Sequence, residues 1–388
     1  MITELTPITS APDKKELAGR LGKVRDLMAQ QNLDIYVSFD PVNIYYLTNF
    51  YNYVHERPFI LVFRREGIPK CVVPYLEESH LRTRAKCELE TVRYFEYPAP
   101  EAENWFDVYA PLIKEDDCVG VESAMTLRIY DRTPGDKIKT DIIDEVRLVK
   151  TEYEIGRNVH ACQILNEGHD KLLEVCRPGM MLFELYGAVT QVMMARVVTE
   201  IPMANPLISR PVAIVLPPSL SHDPHNFTNV FLQMEQGGPH VSGVAGQIDG
   251  YGVELERTFF LGSVPDKARD PFQVMMEGRT LAYEQLKPGA NMSNIDASVR
   301  KVYEKAGYGD KILHRTGHGF GITGHEGPYL AVGYNRELQP GMLVSIEPGI
   351  YIPGLGGFRH SDTVLITNDG YIKLTDAPDS LEELTIQL

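Results

Sequence analysis

The chain has 388 residues, 43% of them hydrophobic and 23% charged, which is the balance of an ordinary folded protein of two or three domains. Its net charge is −15, and so acidic a chain is a poor nucleic-acid binder because phosphate contacts need clustered basic side chains. No apolar run approaches the roughly 20 residues that cross a bilayer, so we expect no membrane partner. The negative field favours a small cationic ligand, although the same charge also simply keeps a protein in solution.

The cysteines indicate neither a disulfide framework nor a thiolate zinc site. They are odd in number, scattered and without a CxxC pair: Cys71, Cys87, Cys118, Cys162 and Cys176. The N-terminal stretch has no basic segment followed by an apolar core, so we expect no secretory signal. Together these features predict a cytoplasmic protein.

The first part of the chain predicts alternating helices and strands. Apolar residues at helical spacing predict an amphipathic helix over residues 14–31. The β-rich runs that follow lie at residues 34–40, 59–64, 70–74 and 118–122. The charged stretch from Val146 to Gly156 opens a new helix and is the best candidate for a domain junction. We therefore predict one domain at 1–150 and a second at 151–388.

The second domain contains an internal repeat with an offset of 110 residues. Glu167-Gly168 recurs as Glu277-Gly278, and Arg177-Pro178-Gly179 recurs as Lys287-Pro288-Gly289. Each Pro-Gly pair ends one helix and precedes another amphipathic helix. We therefore predict a domain of two related halves, with a site where the halves meet.

Four segments of the second domain carry the candidate chemistry, and each begins or ends a β-rich run. They are His222-DPHN-Phe227, Gly250-YGVELERTFFLG, Thr316-GHGFGITGHEGPY and Val344-SIEPGIYIPGLGGFRHSDTVLI. Their polar residues of interest are His225, Glu254, Glu256, His318, His325, Glu347, Arg359, His360 and Asp362. Glu254 and Glu256 are two apart in a strand and face the same side, which is costly unless a metal ion or a cationic ligand lies between them.

Each of these residues also has a purely structural explanation. Glu254 and Glu256 suit a solvated strand face, His318 suits a turn between glycines, and His225 suits a loop histidine bonded to the backbone. Glu347 is harder to explain in this way, because a carboxylate is rarely buried in an apolar strand without a partner.

The four segments, in this order, closely resemble the creatinase/aminopeptidase superfamily, which includes methionine aminopeptidases, Xaa-Pro peptidases and creatinase. The resemblance covers residues 155–388 and, through Pro41-VNIYYLTNF and His55-ERPFILVF, more weakly the N-terminal half. It implies an α+β protein with a creatinase/prolidase-like α/β N-terminal domain and a pita-bread C-terminal domain. In the latter, two αβ halves are related by pseudo-twofold symmetry around a curved antiparallel sheet. The resemblance also implies a homodimer.

The metal ligands of the superfamily are only partly matched. Its peptidases hold two metal ions with two aspartates, one histidine and two glutamates, and the resemblance places these ligands at Gly243, Glu254, His318, Glu347 and Ser361. Two ligands are unchanged, one is altered and two are lost, so we expect no two-metal cluster. A single divalent ion of Mn, Co or Zn at Glu254, His318 and Glu347 is the alternative to a site without metal.

The resemblance to creatinase, which works without metal, supplies the roles expected of the remaining residues. It implies that His225 is the acid/base, that Glu256 and Glu347 bind a cationic group, and that His318 helps to orient water or substrate. Arg57 matches an arginine that creatinase lends to its partner subunit's site, whereas a second substrate-binding arginine is replaced by Tyr329. The substrate-binding candidates are Arg57, Glu254, His325, Tyr329, Arg359 and His360.

From these residues we expect a hydrolase that works without a cofactor on a small cationic or zwitterionic compound. It would cleave a non-peptide C–N bond in an amidine, a guanidine or a cyclic amide, since two carboxylates bind such a planar cation by charge-assisted hydrogen bonds while a histidine moves the proton. Two alternatives stay open. One is an Xaa-Pro dipeptidase or aminopeptidase with a remodelled metal site, and the other is a non-catalytic binding protein on the same fold.

Overall fold

The structure is a computed structural model that describes residues 5–53, 56–227 and 229–388. His55, which belongs to one of the sequence motifs, lies outside these ranges. The described residues form two compact units, Ser10–Arg147 and Leu148–Leu388, and the residues up to Thr9 belong to the second of them. No helix in the described ranges is long and apolar enough to cross a membrane.

The first unit is a mixed sheet with helices between its strands. Its elements are α1 (Lys14–Gln30), β1 (Ile35–Ser38), α2 (Pro41–Thr48), β2 (Ile60–Arg64), β3 (Lys70–Pro74), α3 (Glu78–Arg84), β4 (Glu90–Tyr94), α4 (Trp105–Tyr109), β5 (Cys118–Val121), α5 (Leu127–Tyr130), β6 (Asp136–Lys139) and α6 (Ile142–Arg147). The strand order is β4-β3-β2-β1-β5-β6, in which β1–β2 and β2–β3 pair antiparallel and the other pairs are parallel.

The first helix forms where the apolar spacing predicts it. Asp13 caps it by accepting a hydrogen bond from the backbone N–H of Glu16 at 2.8 Å. Its buried stripe consists of Leu17, Val24 and Met28 together with Arg20, so the helix is amphipathic as predicted. It ends one residue earlier than the sequence predicts.

The second unit contains the segments that carry the candidate chemistry. Its elements are α7 (Glu152–Val175), α8 (Leu182–Glu200), β7 (Arg210–Leu216), β8 (Gly237–Ile248), β9 (Tyr251–Leu261), α9 (Asp266–Glu284), α10 (Met292–Lys305), β10 (Gly317–Gly319), β11 (Glu326–Leu330), β12 (Leu343–Ile346), β13 (Gly349–Ile352), β14 (Gly356–Arg359), β15 (Asp362–Ile366), β16 (Tyr371–Lys373) and β17 (Thr385–Ile386).

Two sheets of this unit meet at the candidate site. One has the order β17-β9-β8-β7 and the other the order β11-β10-β12-β15-β16, and β13 pairs with β14 in a separate hairpin. Glu256 of β9 and Ser361, just before β15, exchange two backbone hydrogen bonds of 3.0 Å each and so link the two sheets. The result is the curved, mainly antiparallel sheet that the superfamily resemblance implied.

The 110-residue repeat corresponds to two helix pairs. α7 and α8 form the first pair and α9 and α10 the second, and each pair is joined through a Pro-Gly segment whose glycine has a positive φ. The repeated glycines have the same role in both pairs. A Cβ on Gly168 would lie 2.6 Å from the sulfur of Met193, and a Cβ on Gly278 would overlap the ring of Tyr303. Both glycines therefore let paired helices pack closely, which confirms the prediction of two related halves.

Candidate active site and metal centre

Two carboxylates project from the same face of β9, as their spacing predicts. Glu254 lies opposite Ala245 of β8, and Glu256 lies opposite Gly243. A Cβ on Gly243 would stand 3.3 Å from the Oε1 atom of Glu256, so the missing side chain leaves the room that this carboxylate uses. Small residues on the neighbouring strand thus allow Glu254 to be buried and Glu256 to lie half-buried beside it.

His318 of β10 and Glu347, which follows β12, complete the cluster. His318 Nε2 lies 3.1 Å from Glu347 Oε1 and 3.8 Å from Glu254 Oε1. His318 Nδ1 lies 3.1 Å from the carbonyl oxygen of Gly319, which can only accept a hydrogen bond, so Nδ1 carries a proton. The other ring nitrogen is buried without a hydrogen bond of good geometry to the described residues. It therefore faces two carboxylates and requires a proton or a metal ion between them.

The electrostatics of the cluster reflect an excess of buried negative charge. Burial, followed by repulsion from Glu347, raises the pKa of Glu254 to about 8. Burial opposes ionisation of Glu347 too, but its contact with His318 outweighs this and lowers the pKa of Glu347 to about 2. Burial likewise opposes protonation of His318, yet Glu254 and Glu347 raise its pKa to about 9. The carboxylates thus hold protons on His318 and Glu254, and a divalent ion bound here would take the place of those protons.

A chain of hydrogen bonds fixes Arg359 beside this cluster. Arg359 Nη2 donates to Glu256 Oε1 at 2.7 Å, and Arg359 Nη1 donates to the hydroxyl of Tyr351 at 3.1 Å. The Tyr351 hydroxyl lies 2.7 Å from His314 Nε2, while His314 Nδ1 lies 2.8 Å from the carbonyl oxygen of Arg315. Because that carbonyl only accepts, Nδ1 is the donor, and Tyr351 donates its proton to Nε2. Glu256 is thereby held by a fixed cation.

The cluster has the donors for one divalent ion. Ligand atoms lie within 4.8 Å of one another in two overlapping groups: Glu254, His318 and His325, and Glu254, Glu256 and Glu347. Imidazole nitrogen and carboxylate oxygen suit Mn, Co or Zn.

The positions matching the family's other ligands offer less to a second ion. Gly243 has no side chain, and the hydroxyl of Ser361 donates to Glu254 Oε1 at 2.7 Å. The guanidinium of Arg359 already neutralises Glu256. These residues therefore fit one divalent ion better than two.

Three other predicted residues lie around the cluster. The ring of His325 is exposed on one side and lies 3.9 Å from the ring of His318. Tyr329 of β11 pairs directly with His318, so the two side chains share a face of the sheet. His225 is exposed in the loop between β7 and β8, near Phe227. Burial is the main cause of the lowered pKa of His314 and of His325, and proximity to His225 is the smallest contributor to both.

Two further predicted substrate-binding residues are His360 and Arg57. His360 is fully buried on the opposite face from Arg359 and Ser361, where it packs on Phe272 of α9 at 5.4 Å. His360 lies between β14 and β15. Its neighbours Arg359 and Ser361 bond to Glu256 and Glu254, and in extended chain the residue between them points to the other side. Arg57 belongs to the first unit, where it pairs with Glu56 and Glu96 at 3.2 Å each.

Sequence reasoning missed several residues that organise the site. Ser345 accepts from the backbone N–H of His318 at 2.9 Å and lies 3.3 Å from Glu347 Oε1, so it links two candidate ligands. Its position two residues before Glu347 in a strand was an available signal, because such residues share a face. His314 and Tyr351 gave no comparable signal, since their contact brings together residues 37 apart in the chain.

The fold and this cluster define the class of protein. Residues 157–368 match metallopeptidase family M24, and residues 20–149 match the creatinase/prolidase N-terminal domain. The chain belongs to metallopeptidase family M24, as the motifs of the second domain predicted.

Individual relatives are Xaa-Pro peptidases and other dipeptidases. An Xaa-Pro dipeptidase of Pyrococcus furiosus is 28% identical over 369 residues, covering 92% of this chain and 97% of the relative. A putative dipeptidase of Bacillus subtilis is 28% identical over 351 residues, covering 87% and 92%. The solved prolidase from Pyrococcus furiosus has a TM-score of 0.78 at 25% identity and covers 91% of this chain and 99% of its own. A dipeptidase from Mycobacterium ulcerans shares the fold with a TM-score of 0.82 at 23% identity, covering 97% and 99%.

The expectation of a site without metal is wrong. Membership of a metallopeptidase family overturns it, and the donor atoms converge as a divalent ion requires. The loss of the ligands at Gly243 and Ser361 made such an ion look improbable from the sequence. Glu256 was expected beside Glu254, whereas the approach of His325 to Glu254 and His318, which adds a further donor, was not expected.

Proposed function

We propose that this protein is a metal-dependent dipeptidase of the Xaa-Pro type, with a remodelled site that holds one divalent ion at Glu254, His318 and Glu347. The observation that carries the proposal is the buried Nε2 of His318, which faces carboxylate oxygens of Glu347 and Glu254 at 3.1 and 3.8 Å. The relatives named as Xaa-Pro dipeptidase and prolidase support the choice of substrate.

The chain's own residues divide the work of peptide hydrolysis. A bound divalent ion supplies Lewis-acid chemistry by polarising a carbonyl oxygen. Glu254 and Glu347 provide the charge that holds it, and Ser345 orients Glu347. In the reaction a water oxygen adds to the peptide carbon, the C–N bond breaks, and the leaving nitrogen takes up a proton. The exposed imidazoles of His325 and His225 border the cluster and are suited to move that proton.

Cleavage of proline dipeptides with and without metal tests the proposed function. Protein stripped with a chelator should lose hydrolysis of Ala-Pro and Leu-Pro and regain it with Mn²⁺ or Co²⁺, since the carboxylates need the ion for Lewis-acid chemistry. Ala-Ala under the same conditions measures the preference for proline. No cleavage of either proline dipeptide at any metal load would refute the proposal.

We also propose the setting of the enzyme. We expect a small-molecule substrate without nucleic-acid or membrane partners, a cytoplasmic location, and a homodimer in which Arg57 of one subunit serves the site of the other. The superfamily resemblance supports the dimer, and five cysteines without a disulfide among them support the location.

A further inference from the structure

Arg315 is a cation at the rim of the site, and it has no anionic partner among the described residues. It lies in the segment between α10 and β10, three residues before His318. Its guanidinium carbon stands 4.5 Å from the centroid of the Tyr329 ring. Within residues 5–53, 56–227 and 229–388, no carboxylate pairs with it, and its buried Nε has no hydrogen-bond partner. A partly buried guanidinium normally has a carboxylate partner and hydrogen-bond acceptors for its N–H groups.

The ring of Tyr329, on which the Arg315 guanidinium stacks, lies on the face of the sheet that holds the candidate metal ligand His318. Tyr329 and His318 are direct partners in the antiparallel pair of β11 and β10. Directly opposed residues have Cβ atoms roughly 5 Å apart on one face of the sheet, so Tyr329 stands beside the imidazole of His318. The Tyr329 side chain therefore lies between the Arg315 guanidinium and the ligand cluster.

The two arginines near the cluster differ in what they bind. Arg359 is buried and satisfied by Glu256 and Tyr351. Arg315 is half-buried and stacked on an aromatic ring, which orients the guanidinium and leaves its N–H groups available. An oriented guanidinium presents paired donors that match the two oxygens of a carboxylate.

We propose that Arg315 binds the carboxylate of the substrate and that Tyr329 is the platform that orients it. The inference deepens the proposed function and rests on it, because it makes the substrate a dipeptide with a free C-terminal carboxylate. The scissile carbonyl then lies at the metal ligands while the carboxylate of the last residue reaches Arg315. Peptide amides, which lack the negative charge, are poor substrates for the same reason.

The test compares hydrolysis of Ala-Pro, which has a free carboxylate, with hydrolysis of its C-terminal amide in the variants Arg315→Met and Arg315→Lys. We expect R315M to raise KM for Ala-Pro by about 10- to 100-fold, the loss typical of a hydrogen bond to a charged group, and to leave the amide of Ala-Pro unchanged. R315K keeps the positive charge but lacks the paired N–H donors of the guanidinium, so it should recover part of the affinity for Ala-Pro. Arg269→Met removes an exposed arginine of α9 and is the matched control.

A binding measurement separates this inference from the proposed function. N-acetyl-L-proline and its amide are titrated calorimetrically into the wild type and R315M. Wild-type preference for the acid that disappears in R315M supports the carboxylate site even if no dipeptide is cleaved, in which case the proposed function alone fails. An acid-to-amide ratio that is the same in the wild type and R315M, in binding or in KM, overturns the role of Arg315.

Discussion

At the scale of single residues, Glu347 connects the parts of the site. Its carboxylate contacts His318 and Ser345, and its backbone N–H donates to the carbonyl oxygen of Thr316 at 2.9 Å. A carboxylate in this position serves a metal ion only while it is charged. The neutral amide of Glu347→Gln keeps the shape and removes the charge.

We therefore expect E347Q to weaken Mn²⁺ binding by more than the roughly 10- to 100-fold that follows loss of an outer hydrogen-bond partner. Calorimetric titration of metal-free protein measures this loss. Glu174→Gln, which changes an exposed glutamate of α7, should bind Mn²⁺ like the wild type. Unchanged affinity in E347Q would remove Glu347 from the ligand set.

A second residue, His240 of β8, sets a pH dependence of stability. It is completely buried and stacks on Phe259 with ring centroids 5.0 Å apart. Burial lowers its pKa from 6.5 to about 4. Below pH 6.5 the unfolded chain takes up a proton that the folded chain refuses, so stability falls as the pH falls from 6.5 towards 4.

Over that interval we expect His240 to cost about 3 kcal/mol of unfolding free energy. His240→Phe removes the titrating group and should flatten the acid side of the stability curve, measured by urea denaturation between pH 4 and 8. If the unfolding free energy of H240F and of the wild type changed equally with pH between 4 and 6.5, His240 would have the same pKa in the folded and the unfolded chain. Above pH 6.5 the two slopes should coincide.

At the scale of elements, helix packing in the second unit depends on a glycine of α9. A Cβ on Gly278 would overlap the ring of Tyr303 of α10, which is fully buried and donates to the carbonyl oxygen of Met275 at 3.1 Å. Because that ring has no room to move, Gly278→Ala should destabilise by about 1–3 kcal/mol.

The control is Gly187→Ala in α8, where an added Cβ meets no atom of the described residues within 4 Å. Helix propensity predicts a gain of up to about 1 kcal/mol for this change. Thermal or urea denaturation measures both variants. A G278A protein as stable as G187A would contradict the close packing of α9 on α10.

Local signals predicted many elements well, and long-range contacts were predicted poorly. The spacing of Glu254 and Glu256 placed both carboxylates on one face, and the glycine repeat predicted two helix pairs, since both depend on regular periodicity. The burial of His360 was missed because the register of a strand beside a bend is set by tertiary packing. The stacking of Arg315 on Tyr329 also needed the fold, because it joins a loop to a strand.

At the scale of the whole molecule, the proposed homodimer predicts complementation between inactive subunits. If Arg57 serves the partner's site, mixed dimers of Arg57→Ala and His318→Ala subunits contain one site with both residues intact. Mixing the two variants should then restore up to about a quarter of the wild-type activity, since half of the molecules are mixed dimers with one intact site of two. Ala-Pro hydrolysis after subunit exchange measures it. No recovery in a confirmed mixed dimer would place Arg57 in its own subunit's site.

The central claim is that one divalent ion at Glu254, His318 and Glu347 supports dipeptide hydrolysis. Its most direct test is a titration of metal-free protein with Mn²⁺ in which bound ion and Ala-Pro hydrolysis are measured on the same samples. We predict that activity rises in proportion to bound metal and becomes level at one ion per chain. Activity that is complete without metal, or that appears only at two ions per chain, would contradict this account.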